Sequence, residues 1–194
     1  GYDPDVGGAM PYPLLEDNDV RRNYFVSGPA PDSAATATAM STGIKTYSAA
    51  IGVSPAFTGD NALEHASALL HRFYGMATGF VTTVEFYHAT PAGFFAHNAS
   101  RNAYSEIAQE LLTRVTPDVM IGAGYGMGVV GSKELERLET SGTYVSAFRQ
   151  NGIDGNDTVL KAATRAVEQK KKFFGFFGNT SQGNFSSPVP VDNP

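Results

Sequence analysis

Cysteine is the first absence: none occurs in the 194 residues. Its lack removes disulfides, thiolate nucleophiles and thiolate metal sites together, so any bound metal must rely on His, Asp, Glu and hydroxyl ligands. Long hydrophobic runs are missing too. No stretch approaches the roughly 20 apolar residues of a membrane-crossing helix. Positive charge is scarce: 14 basic against 19 acidic residues leave a formal charge of −5, which argues against a general nucleic-acid surface and an anionic membrane partner. The one dense basic run, Lys170 to Lys172, reads as a solvated helix end that complements the dipole. The motifs GxSxG, HExxH, the P-loop and CxxC are all absent, so esterase, zincin, NTPase and thiol-redox mechanisms lack their usual marks. No leader precedes Gly1, and the chain reads as mature or trimmed.

What remains is ordinary globular material, 42% hydrophobic and 17% charged, enough for one domain with a sizeable core. Helical periods alternate with short β-rich runs, which predicts an α/β fold with a mostly parallel sheet flanked by helices. The expected order starts with a helix from Ser33 to Thr42, after an irregular opening. A second helix is expected over residues 61–74, with Asn61 and Glu64 as a capping pair, Gly75 as its stop, and Leu63, Ala66, Leu70 and Phe73 on its inner face. Residues 78–84 read as a buried strand whose carboxyl end leads into the His88 loop, where ligands gather in such sheets. A packed helix follows over 104–115, a strand over 119–122, helices over 132–141 and 157–172, and a last strand over 173–177. Gly126-Met-Gly128-Val-Val-Gly131 satisfies a dinucleotide fingerprint, but no acidic residue stands about 20 positions on, and a glycine-rich loop is the better account. His65 and His71 are expected to decorate one helix, and His97 receives no role.

The most informative segment is Pro31 to Tyr47, PDSAATATAMSTGIKTY. Asp32 suits an N-cap, and Ser33 would then sit in the first turn, where unpaired N–H groups and the helix dipole favour an anion. A nucleophile and its anion site would coincide there. A capped, small-residue helix packed on a sheet is the alternative, and the local residues taken alone favour it, since caps of this kind are common. Arg101 offers a planar fork that matches phosphate, though from composition alone it is equally a surface arginine near a helix start.

The run DSAATATAMSTGIKTYSAAIGV, Asp32 to Val53, resembles the nucleophile segment of the metal-dependent alkaline phosphatases. A second block, GMATGFVTTVEFYHATPAGFFAHNASRNAY, Gly75 to Tyr104, is similar to the next characteristic stretch of that family, in the same order and at about the same spacing. The likeness continues more weakly to about Phe177. The resemblance implies hydrolysis of phosphomonoesters through a phosphoserine on Ser33, with zinc and magnesium as cofactors. It implies that Ser33 is both nucleophile and metal ligand, that Arg101 grips the substrate phosphate with Asp32 orienting it, and that Thr90 and His88 belong to the magnesium site. Many bacterial members carry Asp where His88 stands. An imidazole there lowers the negative charge and suits zinc better than magnesium, so weaker magnesium retention is expected.

The family's early glycine-aspartate motif has no convincing counterpart in residues 1–30, and no further Asp-His motif occurs in 178–194. Ser33 and Thr90 alone are too few ligands for two zinc ions. The expectation is therefore a single α/β domain over 1–194, truncated at both ends and inactive by itself. The alternative is a short paralogue that binds phosphate or a partner without turnover. A periplasmic or extracellular setting follows from the resemblance. So do phosphomonoesters and inorganic phosphate as ligands, and a homodimer of the kind common among relatives.

Overall fold

The computed structural model of the protein describes residues 31–55, 61–124, 128–130, 132–148 and 153–177. The chain divides into two compact units, Gly1–Asp32 and Ser33–Pro194, and every element below belongs to the second. In chain order these are α1 (Ser33–Thr42), α2 (Ala66–Tyr74), β1 (Gly79–Glu85), α3 (Ala89–Ala92), α4 (Tyr104–Glu110), a π-helical turn (Leu111–Val115), β2 (Val119–Ala123), α5 (Ser132–Ser141), β3 (Tyr144–Phe148), α6 (Gly155–Glu168) and β4 (Lys172–Phe176). The four strands form one sheet in the order β1-β2-β4-β3, all neighbours parallel. The expected α/β architecture is present.

Alternation along β4 explains how the sheet is held. Phe174 and Phe176 join one core with Phe86, Met120, Ile107 and Leu111, while Phe173 joins a second with Val145, Ala147, Ala162 and Ala166. Successive side chains of a strand point to opposite faces, so this central strand is apolar on both sides and helices cover both. Helix α1 packs on the first face through Ala34, and its buried residues are all small: Ala34, Ala35, Ala37, Thr38 and Ser41. Small side chains permit close backbone approach. A Cβ at Gly93, just after α3, would stand 2.5 Å from that of Ala37, so glycine is required where the two helices meet.

Several boundaries differ from expectation, each for a tertiary reason. The second helix starts at Ala66 rather than residue 61 because the preceding segment pairs elsewhere: Val53 bridges Ala62, and the Leu63 amide donates to the Gly52 carbonyl at 2.7 Å. The Asn61–Glu64 capping pair is therefore absent; the N-cap is His65, with no side-chain cap. No residue of α2 is buried, and of the expected inner face Ala66, Leu70 and Phe73 are exposed while Leu63, before the helix, is half-buried. Gly75 does end the helix, in the left-handed conformation.

The strand expected to be buried is β1, which lies at the edge of the described sheet with alternating exposure, Val81 being 73% exposed. Helix α4 widens into a π-turn, closed by the Thr116 amide on the Leu111 carbonyl at 3.0 Å, immediately before Pro117. The last helix begins two residues early because the Asp154 carboxylate accepts from the Asn156 amide at 2.7 Å and the Asp157 amide at 3.2 Å. It ends at Glu168 because Lys172 is drawn into β4, its amide donating to the Thr143 carbonyl. Strand β3, unforeseen in the sequence, completes the sheet. The glycine fingerprint lies partly outside the described residues, as do the opening and the tail. Among the described residues no helix is long and apolar enough to cross a membrane.

Candidate active site

Ser33 opens α1, as its sequence predicts. Arg101 reaches it from 68 positions away, because the intervening chain is stitched back onto that helix. Thr38, inside α1, donates its hydroxyl to the Ala50 carbonyl at 3.3 Å and accepts the Gly52 amide at 2.9 Å. Ile51 and Asn98 exchange backbone hydrogen bonds of 2.9 and 2.8 Å, and the Arg101 amide donates to the Ala49 carbonyl at 2.7 Å. This ladder delivers the guanidinium to the helix N-terminus, where Nη1 donates to Ser33 Oγ at 2.8 Å.

The other guanidinium nitrogen, Nη2, lies 3.3 Å from His88 Nε2. A guanidinium only donates, so Nε2 must be the unprotonated nitrogen of a neutral ring and Nδ1 carries the proton. That Nδ1 is buried and has no hydrogen-bond partner. Burial lowers the His88 pKa, the Arg101 charge lowers it further, and Glu85 opposes both. Near neutral pH the ring is therefore an uncharged acceptor. It is set at the end of β1 by a turn in which the His88 amide donates to the Glu85 carbonyl at 2.8 Å.

Of the residues named from the sequence, the structure brings Ser33, His88 and Arg101 together. Thr90 stands in the first turn of α3 with its side chain exposed, and no hydrogen bond joins it to those three. Asp32 belongs to the other unit. Among the described residues no three His, Asp or Glu side chains gather as a metal site. One imidazole and two hydroxyls are too few for a closed zinc or magnesium coordination set, and the unprotonated nitrogen of His88 faces the Arg101 guanidinium.

Sequence reasoning missed a second cluster behind this site. His65 does not decorate a helix: it is 2% exposed and lies against Ser41, while His71 is exposed on α2. His97 also has a defined place, with Nδ1 2.9 Å from Glu110 Oε1 and Nε2 2.8 Å from the Leu63 carbonyl. No local spacing signals these pairs.

The sequence profile of the alkaline phosphatase family matches residues 14–172. Curated relatives include the Escherichia coli alkaline phosphatase, 45% identical over 200 aligned positions that cover 84% of this chain and 40% of that protein. Alkaline phosphatase 3 of Bacillus subtilis is 43% identical over 100, covering 48% of this chain and 20% of that one. The tissue-nonspecific isozyme of Gallus gallus is 31% identical over 160, with 71% and 30% covered. The chain thus spans between 20% and 40% of the length of these relatives. Among solved structures, alkaline phosphatase from the Antarctic bacterium TAB5 superposes with a TM-score of 0.54 at 24% identity, over 81% of this chain and 59% of that one.

Proposed function

The chain belongs to the alkaline phosphatase family, and from that premise we propose that it carries the nucleophile and the phosphate grip of a phosphomonoesterase. One observation carries the reading: the Arg101 guanidinium donates to Ser33 Oγ at 2.8 Å at the N-terminus of α1. A positive charge on that oxygen favours its ionised form. The same guanidinium and the positive end of the helix dipole would bind the phosphoryl oxygens. Ser33 Oγ forms a bond to phosphorus as the ester oxygen departs with a proton as the alcohol, leaving phosphoserine. Water then displaces the serine oxygen, releasing inorganic phosphate and restoring the hydroxyl. Catalysis here is positioning and charge stabilisation. Because the phosphate rather than the alcohol is gripped, many phosphomonoesters are expected as substrates.

Zinc and magnesium are part of the proposal for the whole protein. Ser33, Thr90 and His88 are the donors this chain would contribute, and the described residues do not complete either site. Such ions, when bound, lower the pKa of a coordinated hydroxyl or water and neutralise phosphoryl charge. A TAB5 alkaline phosphatase mutant with a histidine replaced by aspartate is described as having magnesium bound in its M3 site. Magnesium bound in that mutant agrees with the charge argument for weak magnesium retention at His88. A periplasmic or extracellular location and a homodimer complete the proposal, supported by the family alone.

The test is to quench the natural, metal-loaded protein in acid during turnover of p-nitrophenyl phosphate and locate the phosphoryl group by mass spectrometry. Phosphoserine at Ser33, absent from Ser33→Ala, is the expected result. Equal turnover by the two proteins would sink the assignment. Phosphate binding without turnover would point instead to a non-catalytic binding protein.

A further inference from the structure

Ser33 is one end of α1; the other end has its own partners. Ser41, in the last turn, lies about 12 Å along the axis at 1.5 Å per residue and is 3% exposed. Its Oγ is 2.5 Å from the Gly93 carbonyl and 3.0 Å from His65 Nδ1. On the far side of the ring, His65 Nε2 is 3.0 Å from the Ala96 carbonyl. A carbonyl only accepts, so Nε2 holds the proton of the neutral ring and Nδ1 turns a lone pair to the Ser41 hydroxyl, whose single proton is shared between that nitrogen and the Gly93 carbonyl. One buried ring thus joins the helix of Ser33 to the chain that follows His88 and α3.

The face of that ring packs on His97, with centroids 4.7 Å apart. His97 is in turn fixed by Glu110, which accepts from its backbone amide at 3.0 Å and lies 2.9 Å from its Nδ1. Arg101 follows four residues later. The space is fully used: a Cβ at Gly52 would collide with the Ala96 carbonyl and stand 2.7 Å from His65 Nε2. Two segments, the helix that opens at Ser33 and residues 96–97, which lie between His88 and Arg101 in the chain, therefore meet at one imidazole.

We propose that His65 is a positioning residue: by bridging Ser41 to Ala96 and stacking on His97, it sets the gap between the α1 N-terminus and Arg101 into which phosphate fits. This rests on the phosphomonoesterase reading. Small displacements matter in such a gap, where about 1 Å of misplacement costs on the order of 100-fold in rate.

In the natural, metal-loaded protein, His65→Ala and Ser41→Ala should each weaken inorganic phosphate binding, read by calorimetry, and lower kcat on p-nitrophenyl phosphate, both by about 10- to 100-fold per folded molecule. The double variant should lose no more than the worse single one. His65→Asn, which restores an acceptor toward Ser41, should recover most of the loss. A merely structural role would lower the folded fraction and leave phosphate affinity per folded molecule at the parental value, and that outcome overturns the proposal. If His65→Ala does not fold, Ser41→Ala and His65→Asn decide in the same way. If the parent neither binds nor turns over phosphate, the phosphatase reading fails by itself. A crystal structure of Ser41→Ala then decides positioning: Ser33 Oγ parted from Arg101 beyond hydrogen-bond reach supports it, and a retained 2.8 Å contact sinks it.

Discussion

The two ends of α1 solve opposite problems with similar residues. At the N-terminus, Ser33 is half-buried, and the neutral ring of His88 has a buried nitrogen without a partner. At the C-terminal end, Ser41 and His65 are buried, and both ring nitrogens are engaged. One serine–histidine neighbourhood keeps bonding capacity in reserve; the other is saturated. A site that must take up an anion needs the first arrangement, and a joint that must not move needs the second. Residue type does not distinguish them, since each contains a serine and a histidine.

That contrast is broken most forcefully by acid. His65 is held at about 4, far below its ordinary 6.5, by burial first and then by the His97 charge, with the Ala96 hydrogen bond opposing. Between those values the unfolded chain takes up a proton that the folded ring refuses. Stability is therefore complete above about pH 6.5, falls as the pH drops toward 4, and loses up to about 3 kcal/mol through this group. Denaturant titrations across that window should show a steeper fall for the parent than for His65→Asn; identical slopes would place the acid sensitivity elsewhere.

Removing the grip at the open end comes next. Arg101→Ala should weaken inorganic phosphate binding by about 2 kcal/mol, the scale of a charge-assisted fork, and lower turnover moderately. Unchanged calorimetric affinity would remove Arg101 from the site. A smaller effect separates His88 from His65: metal analysis of the natural protein after dialysis against low magnesium should show partial loss, and His88→Asp should retain more. Full retention by the parent would contradict the charge argument. Least is expected from the pair of Arg72 on α2 with Glu64 just before that helix, whose side chains are 58% and 43% exposed. Arg72→Ala should shift stability by less than about 0.5 kcal/mol in thermal unfolding.

Local chemistry made the open end legible. The bounds of α1, the stop at Gly75 and helix α5 depend on residues next to one another, and each stands where the sequence places it. Ser33, His88 and Arg101 were all nameable from their motif. Residues 61–65 read as helix from their types alone, yet their backbone is claimed by residues 52–54, a commitment no helical period records. For the same reason His65 looked like a surface residue: its burial depends on where Ser41, Gly93 and Ala96 arrive. Strand β3 was passed over, although its residues 144–147 are all buried, since only the pairing with β4 reveals it.

By itself the sequence determined the kind of chemistry available. A serine hydroxyl next to a carboxylate, a planar cation and no thiol are properties of residue types and their close neighbours, which act over a few bonds. The alternation of helical and strand periods likewise limited the fold to a parallel sheet between helices. Tertiary structure alone decided which groups meet: that Arg101 crosses 68 positions to reach Ser33, that His88 is a neutral acceptor beside it, and that a buried imidazole locks the far end of the same helix. Those facts depend on burial and on hydrogen bonds between distant segments. Their energies exist only once the chain has closed on itself.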